Sequence, residues 1–188
     1  MIVPQAEKVF RDLIEILEGC QIPYMVMGGF AVCHWAVERA TFDVDFTLSL
    51  EEKDREKLFN SLDARGYSVP EQYRQGFTDQ VKEFREFKVQ WFTAGRSWDA
   101  DFFLATVPYQ REALSRRVRV HLFGLDVWII SAEDLILHKL YAGRPKDIAD
   151  VVDVLTLAKT DLTYLRRWAD EMRVTDLLGK CQAAVDEI

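Results

Sequence analysis

Met27-Gly28-Gly29-Phe30-Ala31, followed by Arg39-Ala40-Thr41-Phe42-Asp43-Val44-Asp45, is the stretch on which the fold turns. From Phe42 to Leu48 the residues alternate, with Phe42, Val44, Phe46 and Leu48 on one face and Asp43, Asp45 and Thr47 on the other. Strand side chains point to opposite faces with period two. The spacing therefore predicts a strand over Thr41–Leu48 with two carboxylates side by side and an apolar reverse face. Adjacent carboxylates repel each other. A bound divalent cation removes that penalty, and oxygen-only ligation suits Mg²⁺. The glycine pair lies between a short apolar strand, Pro23–Met27, and a short helix expected over Phe30–Val37. Bare backbone N–H groups and a helix N-terminus there can face phosphate oxygens. Gly-Gly alone marks only a tight turn; its weight comes from the paired acids that follow.

Trp98-Asp99-Ala100-Asp101-Phe102-Phe103-Leu104 supplies two more acids in an apolar setting. Asp99 and Asp101 share a face, and Asp101 stands just ahead of three large hydrophobic residues. A carboxylate placed there needs a cation or hydrogen bonds to offset its desolvation. Asp101 is the expected third ligand and Asp99 the alternative. Three acids on neighbouring strands can hold two Mg²⁺ ions roughly 4 Å apart, activating an attacking oxygen and stabilising a leaving pyrophosphate.

The rest of the chain reads as a mixed sheet followed by helices. Val9, Phe10, Leu13, Ile14 and Leu17 give a helix over Gln5–Glu18, with Gly19 as its stop. A helix is expected from near Leu50 to before Gly66. Phe84–Phe92 alternates, Phe87, Val89 and Trp91 opposing Glu86, Lys88 and Gln90. A turn at 94–97 then leads to a hairpin partner over Trp98–Leu104. Pro108–Arg117 reads as a helix, and Val118–Leu122 with Leu125–Ile130 as a second hairpin around Phe123-Gly124. Ser131 caps a helix with acids in its first turn, another runs from near Lys146 to about Ala158, and two more close the chain. The expected class is α+β, one domain over residues 1–188, with a mixed-sheet core over about 20–130 and a helical part over 131–188.

Composition narrows the function classes. A chain of 188 residues, 49% hydrophobic, can bury a substantial core. No apolar run approaches the roughly 20 residues needed to cross a bilayer, and the N-terminus lacks the basic-then-apolar order of a signal peptide. Cys20, Cys33 and Cys181 are odd in number and at no metal-like spacing, so reduced thiols in a cytoplasmic protein are expected. A net charge of −7 argues against an extended surface for duplex DNA. His34, His121 and His138 are scattered and read as structural or surface residues. Cys33 and His34, as sequence neighbours, do not face each other on a helix. The Trp residues read as core, with Trp91 and Trp98 the two nearest the acids.

Gly28-Gly29-Phe30-Ala31 with Arg39-x-Thr41-x-Asp43-x-Asp45 resembles the signature of the polymerase-β-like nucleotidyltransferase superfamily. Ile130-Ser131-Ala132-Glu133-Asp134-Leu135-Ile136 and His138-Lys139-Leu140-Tyr141-Ala142-Gly143-Arg144-Pro145-Lys146-Asp147-Ile148-Ala149-Asp150 are similar to the C-terminal motif of small bacterial members, including the abortive-infection, toxin-like branch (AbiEii/AbiGii). The resemblance spans roughly residues 20 to 158. Many superfamily members carry Gly-Ser where this chain has Gly28-Gly29; Gly-Gly occurs in the toxin-like branch.

The resemblance implies transfer of a nucleoside monophosphate from an NTP to a hydroxyl or phosphate acceptor, with release of pyrophosphate. Asp43, Asp45 and Asp101 are then the catalytic and metal-holding acids. Gly28, Gly29, Thr41, Lys139, Arg144 and Asp147 are the nucleotide-binding set. Lys139 and Arg144, with Lys146 near by, would meet the triphosphate, and Asp147 and Asp150 would orient those cations. Arg39 and Thr41 are expected to brace the glycine turn and the acidic strand. The acceptor classes implied are a tRNA 3′ end, a protein hydroxyl or a small molecule, and a toxin role would imply an antitoxin partner. Arg111, Arg116, Arg117 and Arg119 form a second basic cluster that could meet RNA phosphates, although a solvated helix face competes with that reading. The rival class is a nucleotide-binding or regulatory module of the same fold without catalysis.

Overall fold

The computed structural model describes residues 4–93 and 95–187. The chain opens with α1 (Pro4–Cys20), β1 (Tyr24–Val26), α2 (Gly28–Trp35), β2 (Val44–Leu48) and α3 (Glu52–Ala64). Then come β3 (Tyr67–Ser68), α4 (Glu71–Arg74), β4 (Asp79–Val81), β5 (Phe84–Thr93) and β6 (Arg96–Leu104). It continues through α5 (Pro108–Ser115), β7 (Val118–Leu122) and β8 (Leu125–Ile129), and ends in α6 (Ala132–Ala142), α7 (Pro145–Leu157), α8 (Leu162–Glu171) and α9 (Thr175–Asp186). No helix among the described residues is long and apolar enough to cross a membrane.

The strands join in the order β3-β5-β6-β2-β1-β8-β7, with β4 added against β5. The sheet is mixed: β2 pairs with β6 and β1 with β8 in parallel, whereas β1–β2, β5–β6 and β7–β8 are antiparallel. This is the expected α+β class. Register sets the chemistry. Asp45 lies opposite Asp101, and Asp101 opposite Lys88, so one polar row crosses three strands. One residue on, Phe46 lies opposite Phe102, and Phe102 opposite Phe87. Alternation turns that second row to the other face, where the rings stack with centroids 5.4 and 4.9 Å apart. Phe59 of α3 meets Phe87 edge-on at 5.4 Å, closing the aromatic face. Trp98 and Ala100 share it, and Trp91 lies opposite Trp98, so these two Trp residues belong to the apolar face, the core reading expected from sequence.

Most elements lie where periodicity places them, and the differences have local causes. α1 runs through Gly19 to Cys20, buried along the expected stripe of Val9, Phe10, Leu13, Ile14 and Leu17. α2 begins on the glycines themselves rather than at Phe30. β2 begins at Val44, because its neighbour β1 ends at Val26 opposite Phe46, where the chain turns into α2. Phe42 is consequently 58% exposed instead of joining the apolar face, and Thr47 is fully buried because this central strand is covered on both sides. β3, α4 and β4 are absent from the sequence reading; they are two to four residues long, too short to show a period. In the expected turn at 94–97, Ala94 lies outside the described residues, Gly95 has φ +75°, and Arg96 already belongs to β6.

Candidate active site

The acids meet in one cavity. Its volume is about 320 Å³, and its lining includes Gly28, Gly29, Arg39, Thr41, Asp43, Asp45, Glu86, Lys88, Asp101, Lys139, Arg144, Lys146 and Asp147. Every residue in the expected catalytic and nucleotide-binding sets is therefore on its wall. Asp99 is not; it is exposed and accepts a hydrogen bond from Gln90 Nε2 at 2.9 Å. Geometry thus favours Asp101 over Asp99 as the third acid.

The glycine pair is required by what leans against it. Gly28 has φ +59°, and a Cβ built there would meet Asp45 Oδ2 at 1.7 Å. A Cβ on Gly29 would meet Thr41 Oγ1 at 2.3 Å. Asp45 and Thr41 occupy the volume that side chains at 28 and 29 would need, which excludes a serine at position 29. Thr41 Oγ1 itself donates to the Asp43 carbonyl at 3.3 Å. Met27 offers no side-chain cap to α2, so the first turn of that helix opens toward the acids.

The acids carry excess negative charge. Burial, then the proximity of Asp43 and Asp101, pushes the Asp45 carboxyl up to about 7, against the opposing charges of Lys139 and Arg144. Asp101 is also raised, by burial first, with Lys88 countering. Among the described residues, no three carboxylate, imidazole or thiol groups are already drawn into a chelating cluster. Asp101 is instead engaged by Lys88, whose Nζ lies 3.3 Å from Asp101 Oδ2 and 3.1 Å from Glu86 Oε1. The donor set nevertheless fits a hard divalent cation. Asp43, Asp45 and Asp101 offer only oxygen and line one cavity, with Asp45 and Asp101 side by side on adjacent strands and Asp43 just ahead of β2.

Opposite the acids, α6 and α7 supply a clamped set of cations. Lys139, 7% exposed, places its Nζ 2.9 Å from Asp147 Oδ1 and 2.8 Å from Asp150 Oδ2. Arg144 Nε lies 2.6 Å from Asp147 Oδ2, and the same oxygen accepts the Arg144 backbone N–H at 3.3 Å, capping α7. Burial would raise the Asp147 carboxyl, but hydrogen bonds from Arg144 and Lys139 outweigh it and hold the group below the usual range. Arg39 crosses from the loop before β2 to Asp150, its Nη2 3.0 Å from Oδ2. It braces the site through α7 rather than through the glycine turn. Lys146 is exposed on the cavity rim.

Sequence reasoning missed Glu86 and Lys88 as site residues. The alternation of Phe84–Phe92 puts them on one face, but only strand register brings that face beside Asp101. It also missed Val81, Lys82 and Phe84, which bring the β4–β5 turn onto the cavity wall. The second basic cluster has partners within the protein. Arg111 donates to Ala105 and Thr106 carbonyls, Arg116 pairs with Glu133 and Asp134, and Arg117 donates to the Leu114 carbonyl. Arg117 and Arg119 both lie over the Trp128 ring. Arg111 and Arg119 are exposed, and Arg116 and Arg117 are partly buried. His121 pairs with Asp126 at 3.0 Å on the surface, while His138 lies on the cavity wall. Cys33 Sγ is 3.4 Å from the Arg39 carbonyl, not paired with His34.

Residues 101–183 match the family model described as nucleotidyltransferase of unknown function (DUF6036). No curated protein matches the chain in sequence. Solved structures are similar over nearly the whole length. An antigenic nucleotidyltransferase-like protein from Paracoccidioides brasiliensis shares 20% identity at a TM-score of 0.65, covering 98% of this chain and 91% of that one. The lincosamide antibiotic adenylyltransferase LnuA, bound to lincomycin, shares 15% at 0.55, covering 84% and 99%. ANT(2")-Ia, in complex with adenylyl-2"-tobramycin, shares 15% at 0.53, covering 97% and 99%. The chain has the polymerase-β-like nucleotidyltransferase fold.

Proposed function

We propose that this protein is a Mg²⁺-dependent nucleotidyltransferase that moves a nucleoside monophosphate from an NTP to a hydroxyl or phosphate acceptor. The observation that carries this reading is the row formed by Asp45 and Asp101, with Asp43 beside it, facing the Lys139–Arg144 pair and the start of α2 across a single cavity. Mg²⁺ held by Asp43, Asp45 and Asp101, as two ions, would neutralise the phosphates and activate the attacking oxygen. The chain's own residues do the rest. Backbone N–H groups at Gly28 and Gly29 face the phosphates. Lys139 and Arg144, aimed by Asp147 and Asp150, and Lys146 on the rim offset the charge that grows on the leaving pyrophosphate. The acceptor oxygen bonds to the α-phosphorus as the bond to the bridging oxygen of the β-phosphate breaks, and the hydroxyl proton passes to Asp101.

The acceptor class to test first is a small polyhydroxylated molecule, because two of the similar structures are bound to lincomycin and to adenylyl-2"-tobramycin. A tRNA 3′ end and a protein hydroxyl are the other arms, and an antitoxin partner follows only if the acceptor proves to be essential to the cell. The experiment incubates the protein with α-labelled NTPs, Mg²⁺ and, separately, aminoglycosides and lincosamides, total tRNA, and cell lysate. Label transferred by the wild type and not by Asp45→Asn supports the reading. NTP binding with no transfer to any acceptor replaces it with the regulatory module.

A further inference from the structure

We propose that Lys88 is a positioning residue that stands in for a divalent cation on Asp101 and is passed to Glu86 when the ion arrives. This rests on the metal-dependent reading of the same cavity. Lys88 sits directly across the β5–β6 pairing from Asp101, and Asp101 directly across the β6–β2 pairing from Asp45. Its Nζ is shared, 3.3 Å from Asp101 Oδ2 and 3.1 Å from Glu86 Oε1. Glu86 lies two residues earlier on the same strand face, with a side chain only 4% exposed. A carboxylate so buried is held in place by an opposite charge.

The asymmetry between the two acids gives the arrangement its direction. Both acids line the cavity, but the Glu86 side chain is only 4% exposed, whereas that of Asp101 is 22% exposed beside Asp43 and Asp45. The Lys88 side chain, 44% exposed, has room to swing. When a doubly charged ion takes Asp101, the ammonium keeps Glu86, so no buried carboxylate is left bare. Without the ion, Lys88 keeps the acidic row from repelling itself apart. Lys88 and a metal therefore compete for one carboxylate, and Glu86 decides how readily Lys88 yields.

Opposite shifts from two neighbouring substitutions test this, read by Mn²⁺ binding followed as loss of the free-ion electron paramagnetic resonance signal, without nucleotide or turnover. Lys88→Met removes the competitor and should tighten Mn²⁺ binding about fivefold, the size of one partly exposed ion pair. Glu86→Gln leaves Lys88 with Asp101 alone and should weaken it by a similar factor. Lys88→Arg, which keeps the charge, should remain within about twofold of wild type, and circular dichroism checks that each variant is folded. A purely structural role would move both variants in the same direction. Equal Mn²⁺ affinity in wild type, Lys88→Met and Glu86→Gln, or shifts of the same sign, overturns the inference while leaving the metal-centre reading intact. No Mn²⁺ bound by the wild type overturns both.

Discussion

A methyl group added at Gly28 would place its carbon 1.7 Å from Asp45 Oδ2 on a backbone whose φ of +59° already disfavours a side chain. Gly28→Ala should therefore lose about 2–3 kcal/mol in urea unfolding, through overpacking and backbone strain together. Asp101→Asn should reduce transfer about 10³-fold while nucleotide binding largely survives, and Asp99→Asn should do far less; the reverse ranking would mean that the wrong acid has been assigned. His138 gives a pH signature. Burial, then the charge of Lys139, pushes its ring down to about 4. Above its ordinary value near 6.5 the ring is neutral folded or unfolded and adds no slope. As pH falls from 6.5 toward 4, the unfolded chain takes up a proton that the folded one refuses, so stability is lost. His138→Gln should remove a slope approaching one proton between pH 6 and 5; an unchanged slope would rule out the buried neutral ring. At this scale Asp43, Asp45 and Asp101 were legible because an acid every second residue in an apolar strand has no packing rationale. Glu86 and Lys88 were not, because alternation within one strand carries no information about its neighbour's register.

The α6–α7 junction shows how elements share one task. α6 ends at Gly143, whose N–H bonds to the Lys139 carbonyl at 2.9 Å, and α7 starts with Arg144 as its cap residue. The chain thus turns within a few residues, and Lys139 from one helix meets Asp147 and Asp150 from the next. Asp147→Ala removes a fully buried carboxylate that engages both Lys139 and Arg144. It should cost about 3 kcal/mol in urea unfolding, because it strips a buried ammonium of one of its two partners. Lys146→Ala, on an exposed rim residue, should stay within about 0.5 kcal/mol. The helix and its Ser131 cap were readable from sequence; the left-handed Gly143 that ends it is a finding of the structure. The Arg39–Asp150 link was not: it joins positions far apart in the chain, and nothing local requires it.

Across the whole molecule, distant segments of the chain are tied together. β1 pairs in parallel with β8, Trp35 donates to the Ile130 carbonyl at 2.8 Å, and Arg39 reaches α7. We expect one unfolding unit over the whole chain, with far-ultraviolet circular dichroism and tryptophan fluorescence giving coincident urea transitions. Two separated midpoints would divide the helical part from the sheet. The class of fold was legible because a period-two acidic strand, a glycine-initiated helix and a run of helices each announce themselves locally. The strand order was not, since the parallel β2–β6 and β1–β8 pairings join segments far apart in the chain, and β4 is too short to show a period. The claim that joins these scales is that Asp43, Asp45 and Asp101 converge on metal ions beside a triphosphate. The direct measurement is anomalous scattering from a crystal soaked with Mn²⁺ and a non-hydrolysable NTP analogue. The account predicts manganese peaks bounded by those three carboxylates, with the phosphates at the first turn of α2. Manganese elsewhere, or a triphosphate bound with no ion at these acids, would contradict it.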